Sequence, residues 1–150
     1  MPKTLYFLTG FLLIITSIFA GCRNSNNQGV IKASIGKEFT LPLGKSALLS
    51  TENFKITFED VLGDSRCPKG VVCIQAGEAI CQLSIIDTGE TRSSPESLIL
   101  KAMGLVDGYS QVKWSHKNVE YIFNYIVEPY PEAGSQINKS DYLLVLKIER

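Results

Sequence analysis

Apolar and polar residues alternate along most of the chain after residue 37. In residues 54–59, Phe54, Ile56 and Phe58 are each followed by a polar residue. This period of two indicates a strand with one buried face. The same alternation predicts further strands at residues 38–43, 79–85, 97–101, 121–127 and 142–148.

Two segments near the end of the chain refine this pattern. Leu143 and Val145 add apolar residues to the second face of the last strand, which predicts a central strand covered on both sides. Pro129 and Pro131 follow the strand at 121–127 and predict its end, because proline cannot donate to a ladder. Residues 103–119 are less regular, and two predictions remain for them: a short strand, or a plug at one end of the core.

Turn residues separate the strands, and no amphipathic helical stripe of useful length occurs among them. We therefore predict an all-β fold, a single antiparallel β-sandwich or partly open barrel of about seven strands. One domain, residues 37–150, accommodates it.

The first residues of the chain are predicted to form a targeting signal rather than part of this domain. Lys3 precedes an apolar run from Leu5 to Ala20, with Gly21 and Cys22 directly after it. The pattern resembles the bacterial lipoprotein signal, which implies cleavage after residue 21 and acylation of Cys22. The apolar run is short for the roughly 20 residues of a spanning helix. An uncleaved anchor and plain secretion are the alternatives.

Residues 22–36 are predicted to be a flexible tether, since the stretch from Arg23 to Gly29 is polar and lacks periodicity. The acyl chains would make the membrane a permanent partner. No Asp follows Cys22, which by the sorting rules of such lipoproteins favours the outer membrane.

Charge excludes one class of function. The chain has 15 Lys and Arg against 15 Asp and Glu, and like charges never run beyond a pair. A basic stripe is the usual mark of nucleic-acid binding, so no nucleic-acid partner is expected.

The most specific chemistry of the mature domain lies in residues 64–79. Cys67 and Cys73 are close in sequence, and in an exported protein such a pair most simply forms a disulfide. We take the candidate binding loop to comprise Asp64, Arg66, Pro68, Lys69 and Gly70. Asp64 and Ser65 suit a turn that caps its own backbone, and Arg66 could pair with a nearby acid rather than a ligand.

The other thiol chemistry remains open at this point. Cys81 alternates with Ala79 and Leu83 and is predicted to be a buried free thiol, with exchange into the disulfide as the alternative. A metal site would need the thiolates of Cys67 and Cys73 with Asp64 or His116. His116 itself is predicted to be a solvated loop residue.

The motif around the two cysteines resembles a known group of proteins. Residues 64–68 read Asp-Ser-Arg-Cys-Pro, and a second Cys and Ala76-Gly77-Glu78-Ala79 follow. This is similar to a widespread group of small secreted or lipid-anchored bacterial proteins with no assigned activity. Residues 58–61 and 128–131 extend the likeness, although Gln75 stands where the group commonly has Trp. The resemblance implies a small β domain with a short disulfide.

No enzyme signature accompanies this motif, so no catalytic residue, metal or cofactor is predicted. We expect a lipid-anchored, non-catalytic domain of the cell envelope that binds a protein or peptide through the disulfide-framed loop. The alternative is a small envelope metal carrier or enzyme that uses the acids and thiols of residues 60–78, including Asp60, Asp64 and Glu78.

Overall fold

The computed structural model describes residues 29–105 and 108–150. The predicted signal peptide and Cys22 lie outside these residues. The described part contains nine strands: β1 (Ile31–Ala33), β2 (Glu38–Pro42), β3 (Ser46–Leu49), β4 (Phe54–Asp64), β5 (Glu78–Asp87), β6 (Glu96–Met103), β7 (Ser110–His116), β8 (Val119–Glu128) and β9 (Leu143–Glu149). A single 3-10 turn, Lys139–Asp141, precedes β9.

The strands form two sheets, as the all-β prediction required. Sheet A has five strands in the order β1-β3-β4-β5-β6, and sheet B has four in the order β2-β9-β8-β7. All pairs are antiparallel except β1 with β3. The architecture is a β-sandwich.

The core lies between the two sheets, where the inward residues of each strand meet. β5 alternates strictly between half-buried and buried positions, because only one of its faces touches sheet B. The fully buried large side chains are Tyr125, Phe54, Phe58, Phe123, Leu41, Leu49, Ile56, Leu83, Ile85, Leu100, Leu144 and Leu146.

Strand number and boundaries differ from the prediction at three places. β1 and β3 have only three and four residues, too few for an alternation to stand out in the sequence. β1 also lies within the predicted tether, and Ile31 and Ala33 pack against the core, so the folded region begins before residue 37. In the ambiguous segment, Val112 and Trp114 belong to a full strand, β7.

The predictions for the last strands hold in part. β8 ends at Glu128, directly before Pro129, as expected. β9 is central in sheet B, but Leu143 and Val145 are only half-buried, so its second face is not fully covered.

One core side chain also protects a sheet edge. The Tyr125 hydroxyl on β8 reaches across the sandwich to β6, where it accepts a hydrogen bond from Lys101 N at 2.9 Å and donates one to Lys101 O at 3.0 Å. These backbone groups lie on the edge strand of sheet A. Occupying them removes a site at which another strand could pair.

Candidate functional site

Three connections meet at one end of the sandwich, where β4, β6 and β8 finish. We call this the disulfide end, and it comprises residues 65–77, the described residues of 104–109, and residues 129–142. Cys67 and Cys73 are bonded to each other there, as predicted from the sequence. Cys67 is almost completely buried, and its N–H donates to Ala76 O at 2.9 Å, which closes the base of the loop.

Arg66 is the structural centre of the disulfide end. Its side chain is only 3 % exposed, and its Nε and Nη2 donate to the two carboxylate oxygens of Asp64 at 2.9 and 2.7 Å. Nη1 donates to Val127 O at 2.6 Å, and Nη2 also donates to Pro129 O at 2.9 Å. The guanidinium therefore ties the end of β4 to the end of β8.

Asp64 is held in its charged form by the same contacts. Burial of the carboxyl would by itself raise its pKa. The hydrogen bonds from the Arg66 side chain and backbone, the Arg66 charge and the Tyr142 hydroxyl together outweigh burial and lower the pKa of Asp64. Burial and the nearby Asp64 charge raise the pKa of Tyr142 to about 12.

Tyr130 connects the remaining segments of the disulfide end. Its hydroxyl donates to Cys67 O at 3.0 Å and accepts from Leu105 N at 3.0 Å. The Arg66 guanidinium lies 4.9 Å from the centre of the Tyr130 ring, and Lys69 Nζ lies 5.6 Å from it. One aromatic side chain thus links all three connections.

Two glycines let the backbones approach closely at this point. A Cβ on Gly77 would stand 1.8 Å from Ser65 O, and Gly77 also has a φ of +67°, which side chains rarely adopt. A Cβ on Gly104 would stand 2.1 Å from Ala76 O. The glycine of the 76–79 motif is therefore required by packing.

A groove lies beside the disulfide loop, on the outer face of sheet B. Its volume is about 470 Å³. Loop residues form one wall, and β8 with its continuation and the β6–β7 connection form the rest. The lining residues are Pro68, Lys69, Gly70, Val71, Leu105, Gly108, Ile126, Glu128 and Tyr130.

The predicted binding loop therefore divides into two parts. Pro68, Lys69 and Gly70 line the groove. Asp64 and Arg66 lie buried beneath it and use their polar atoms on each other and on the backbone. Arg66 pairs with an acid, as the sequence suggested.

The tip of the loop is apolar and faces away from the protein. Val72 and Ile74 are fully exposed, and Val71 is about half exposed. Leu62, Met103 and Leu105, each more than half exposed, lie near the same end. Such a concentration of exposed aliphatic side chains is a feature of interaction surfaces.

The acids of the alternative prediction, a metal or catalytic site, are dispersed. Lys139 Nζ lies 2.6 Å from Asp60 Oδ1, and Lys101 Nζ lies 3.5 Å from Glu78 Oε1, while Asp64 pairs with Arg66. Within residues 29–105 and 108–150, no three His, Cys, Asp or Glu side chains are grouped as metal ligands.

Cys81 is a buried free thiol, as predicted, and takes no part in the disulfide. Burial raises the pKa of Cys81 to about 12, and the opposing effect of the Arg66 charge is smaller. A thiol of this kind is chemically inert at neutral pH.

The prediction for His116 was wrong. His116 ends β7 rather than lying in a solvated loop, and its ring stacks on Trp114 with centroids 5.1 Å apart. Nε2 lies 2.9 Å from Asp87 Oδ2, and Lys117 Nζ lies 2.5 Å from the same oxygen. This cluster is at the opposite end of the sandwich from the cysteines, so His116 cannot share a site with them.

Sequence reasoning missed the five lining residues of the groove that lie outside the cysteine loop. They come from two regions remote from the cysteines: Leu105, Gly108, Ile126, Glu128 and Tyr130. The position of Tyr130 between two prolines was the one local signal that could have marked it. Ile126 and Glu128 reach the loop because the two sheets pack together and Arg66 joins the loop base to the end of β8.

Within the described residues, no helix is long and apolar enough to cross a membrane. Searches for matching protein families, similar curated proteins and similar solved structures found no match to this chain.

Proposed function

We propose that this protein is a lipid-anchored, non-catalytic domain of the bacterial cell envelope, in the outer membrane, that binds an extended segment of an envelope protein or peptide. The anchor is Cys22, preceded by a cleavable signal of residues 1–21. The binding site is the groove at the disulfide end.

The observation that carries the proposal is the construction of the groove. Its loop wall is fixed by the disulfide and by Arg66, whose hydrogen bonds hold the loop base to β8. A site that is ordered before binding loses little conformational entropy when the partner arrives. The buried groups beneath it serve the scaffold, which leaves the lining residues to contact a partner.

The chemistry of the lining indicates what would fit. Val71, Leu105 and Ile126 supply aliphatic surface, while Lys69 and Glu128 place one charge of each sign there. An extended peptide with an apolar side chain between polar flanks matches this arrangement. Pockets of this size commonly combine an apolar lining with a few polar groups that fix orientation.

Photo-crosslinking in cells tests the binding site. A photoreactive amino acid at Leu105, which is exposed in the groove, is expected to capture a defined protein. The same group at Thr91, which is exposed at the far end of the sandwich, serves as the matched control. Adding Ile126→Lys should reduce the Leu105 adduct, because it places a charge on the apolar lining.

Equal capture from both positions, or no capture from Leu105, would contradict the proposed site. Intact mass of the native protein tests the anchor separately. A product that begins at Cys22 and carries an acyl increment is expected. A product that begins at Met1, or at Cys22 without acylation, would refute the anchoring.

A further inference from the structure

The fully exposed tip of the loop is not part of the groove. Val72 and Ile74 flank Cys73 and do not line the groove, although Val71 does. The disulfide closes this short segment and restricts its conformations, and the two aliphatic side chains stay fully exposed in the folded domain. An exposed pair held in this way points to a partner outside the groove.

The direction of the strands places the start of β1 on the side of the sandwich that carries the loop tip. β1 runs parallel to β3, and β3 runs antiparallel to β4, which leads into the disulfide loop. The chain therefore enters β1 from the side of the disulfide end. The described residues Gly29 and Val30 precede β1 on that side.

The segment from Cys22 to Val30 is longer than the distance along the sheet from the start of β1 to the base of the disulfide loop. Through the ladder, Ile31 is level with Ile85 on β5, and the loop base at Asp64 is level with Ala79. Six residue steps on β5 separate these levels, a distance of about 20 Å. The segment from Cys22 to Val30 spans at most about 30 Å, which is longer than this distance, so Cys22 can reach beyond the level of the loop base.

The side chains around the tip also favour lipid over protein. Protein-binding hot spots are rich in Trp, Tyr and Arg, and Val is under-represented in them. The fully exposed apolar side chains of the tip, Val72 and Ile74, are aliphatic and suit the acyl region of a bilayer, and the exposed Gln75 follows them. Lys69 and Tyr130 lie at the base of the loop, and tyrosine and lysine are typical of the membrane interface.

We infer that Val72 and Ile74 insert into the bilayer that carries the Cys22 anchor, so that the domain stands on the membrane with its disulfide end towards the lipid. The inference rests on the proposed function, because the anchor belongs to it. The groove stays open to the side, on the outer face of sheet B, where it meets partners close to the membrane surface.

Fluorescence quenching tests the insertion. The full, natively acylated chain is reconstituted in vesicles of phosphatidylethanolamine and phosphatidylglycerol with brominated acyl chains. In Val72→Trp, the added tryptophan is expected to lose most of its emission, and its emission is expected to shift to shorter wavelength. Thr91→Trp, exposed at the opposite end, should keep its emission. Trp114 is present in both variants and contributes equally to both.

A second measurement removes the bias that an added tryptophan brings. Amide hydrogen exchange of residues 70–76 is compared in vesicles for the wild-type chain and for Val72→Ser with Ile74→Ser. Slower exchange in the wild type supports insertion, because each buried aliphatic side chain should strengthen the contact by roughly tenfold. Equal exchange in the two chains overturns it.

The outcomes separate this inference from the proposed function. Intact mass is measured on the same sample. An acylated chain with an unquenched Val72→Trp overturns the inference alone, including the case in which a protein covers the tip. A chain without acylation overturns the anchor and the inference together.

Discussion

Replacement of Arg66 by alanine tests how the disulfide end is held together. The change removes the two side-chain hydrogen bonds to Asp64 and those to Val127 O and Pro129 O, all from a side chain that is almost fully buried, and keeps the bond from Arg66 N to Asp64. Removing one partner of a buried ion pair typically costs about 3–5 kcal/mol, because the remaining charge is buried without compensation. We expect a loss of about 4 kcal/mol in the free energy of unfolding.

Urea unfolding at pH 7, followed by the fluorescence of Trp114, measures this loss. Trp114 packs against Phe54 and Phe123 of the core, so its fluorescence reports the unfolding of the sandwich. Lys113→Ala is the matched control, because it breaks the exposed pair with Glu120. Exposed pairs contribute about 0–1 kcal/mol, so the control should be nearly neutral.

The pH dependence provides an independent check. The pKa of Asp64 is lowered in the folded protein, so its contribution to stability is present above the unfolded value near 3.8 and is lost as pH falls through the folded pKa. Without Arg66, burial dominates and raises the pKa of Asp64. The difference between wild type and Arg66→Ala should therefore shrink on acidification.

The reasoning fails if Arg66→Ala loses less than about 1 kcal/mol, the range of exposed pairs. It also fails if the difference from wild type is unchanged by pH between neutrality and the unfolding transition in acid. Either result would mean that the Asp64 and Arg66 contacts do not determine the stability of the disulfide end.

Three further predictions concern the same region. Gly77→Ala should destabilise the domain by more than about 2 kcal/mol, because its Cβ would collide with Ser65 O. Gly63→Ala is the control and should be neutral or slightly stabilising, because the space around Gly63 is open. Thermal unfolding of the two variants measures the difference. Cys67→Ser with Cys73→Ser should lower stability by about 2 kcal/mol, as judged by urea unfolding, and a change below about 0.5 kcal/mol would contradict the loop-closure estimate. Cys81 should resist thiol reagents until the protein unfolds, and rapid labelling of the native protein would contradict its burial.

The sandwich could be predicted because burial on one face of a strand leaves a period of two in the sequence. Phe54, Ile56 and Phe58 displayed that period, and all three are fully buried. The short strands β1 and β3 left no such trace, since three or four residues carry too few alternations. β3 is placed by its pairing with β4, and β1 by its pairing with β3, and both are tertiary contacts.

The candidate site was predictable only where neighbours in sequence determine it. The Cys67–Cys73 bond closes a short loop, so the spacing of the two cysteines was sufficient. The prediction failed for His116, because its ring stacks on Trp114 of the same strand face and its Nε2 contacts Asp87 of β5. The polar residues next to His116 in the sequence indicated a solvent-exposed side chain, whereas the folded protein places an aromatic ring and a carboxylate against it.

The sequence by itself determined the all-β class, the disulfide and the burial of Cys81, because each depends on local periodicity or on residues close along the chain. Only the tertiary structure decided that the buried Arg66 side chain joins the end of β4 to the end of β8, and that the groove exists. Val127, Pro129 and Ile126 lie some sixty residues from the loop along the chain and meet it because β8 ends beside β4 across the sandwich. Contacts at such separation arise from the packing of the two sheets, which no local pattern of residues encodes.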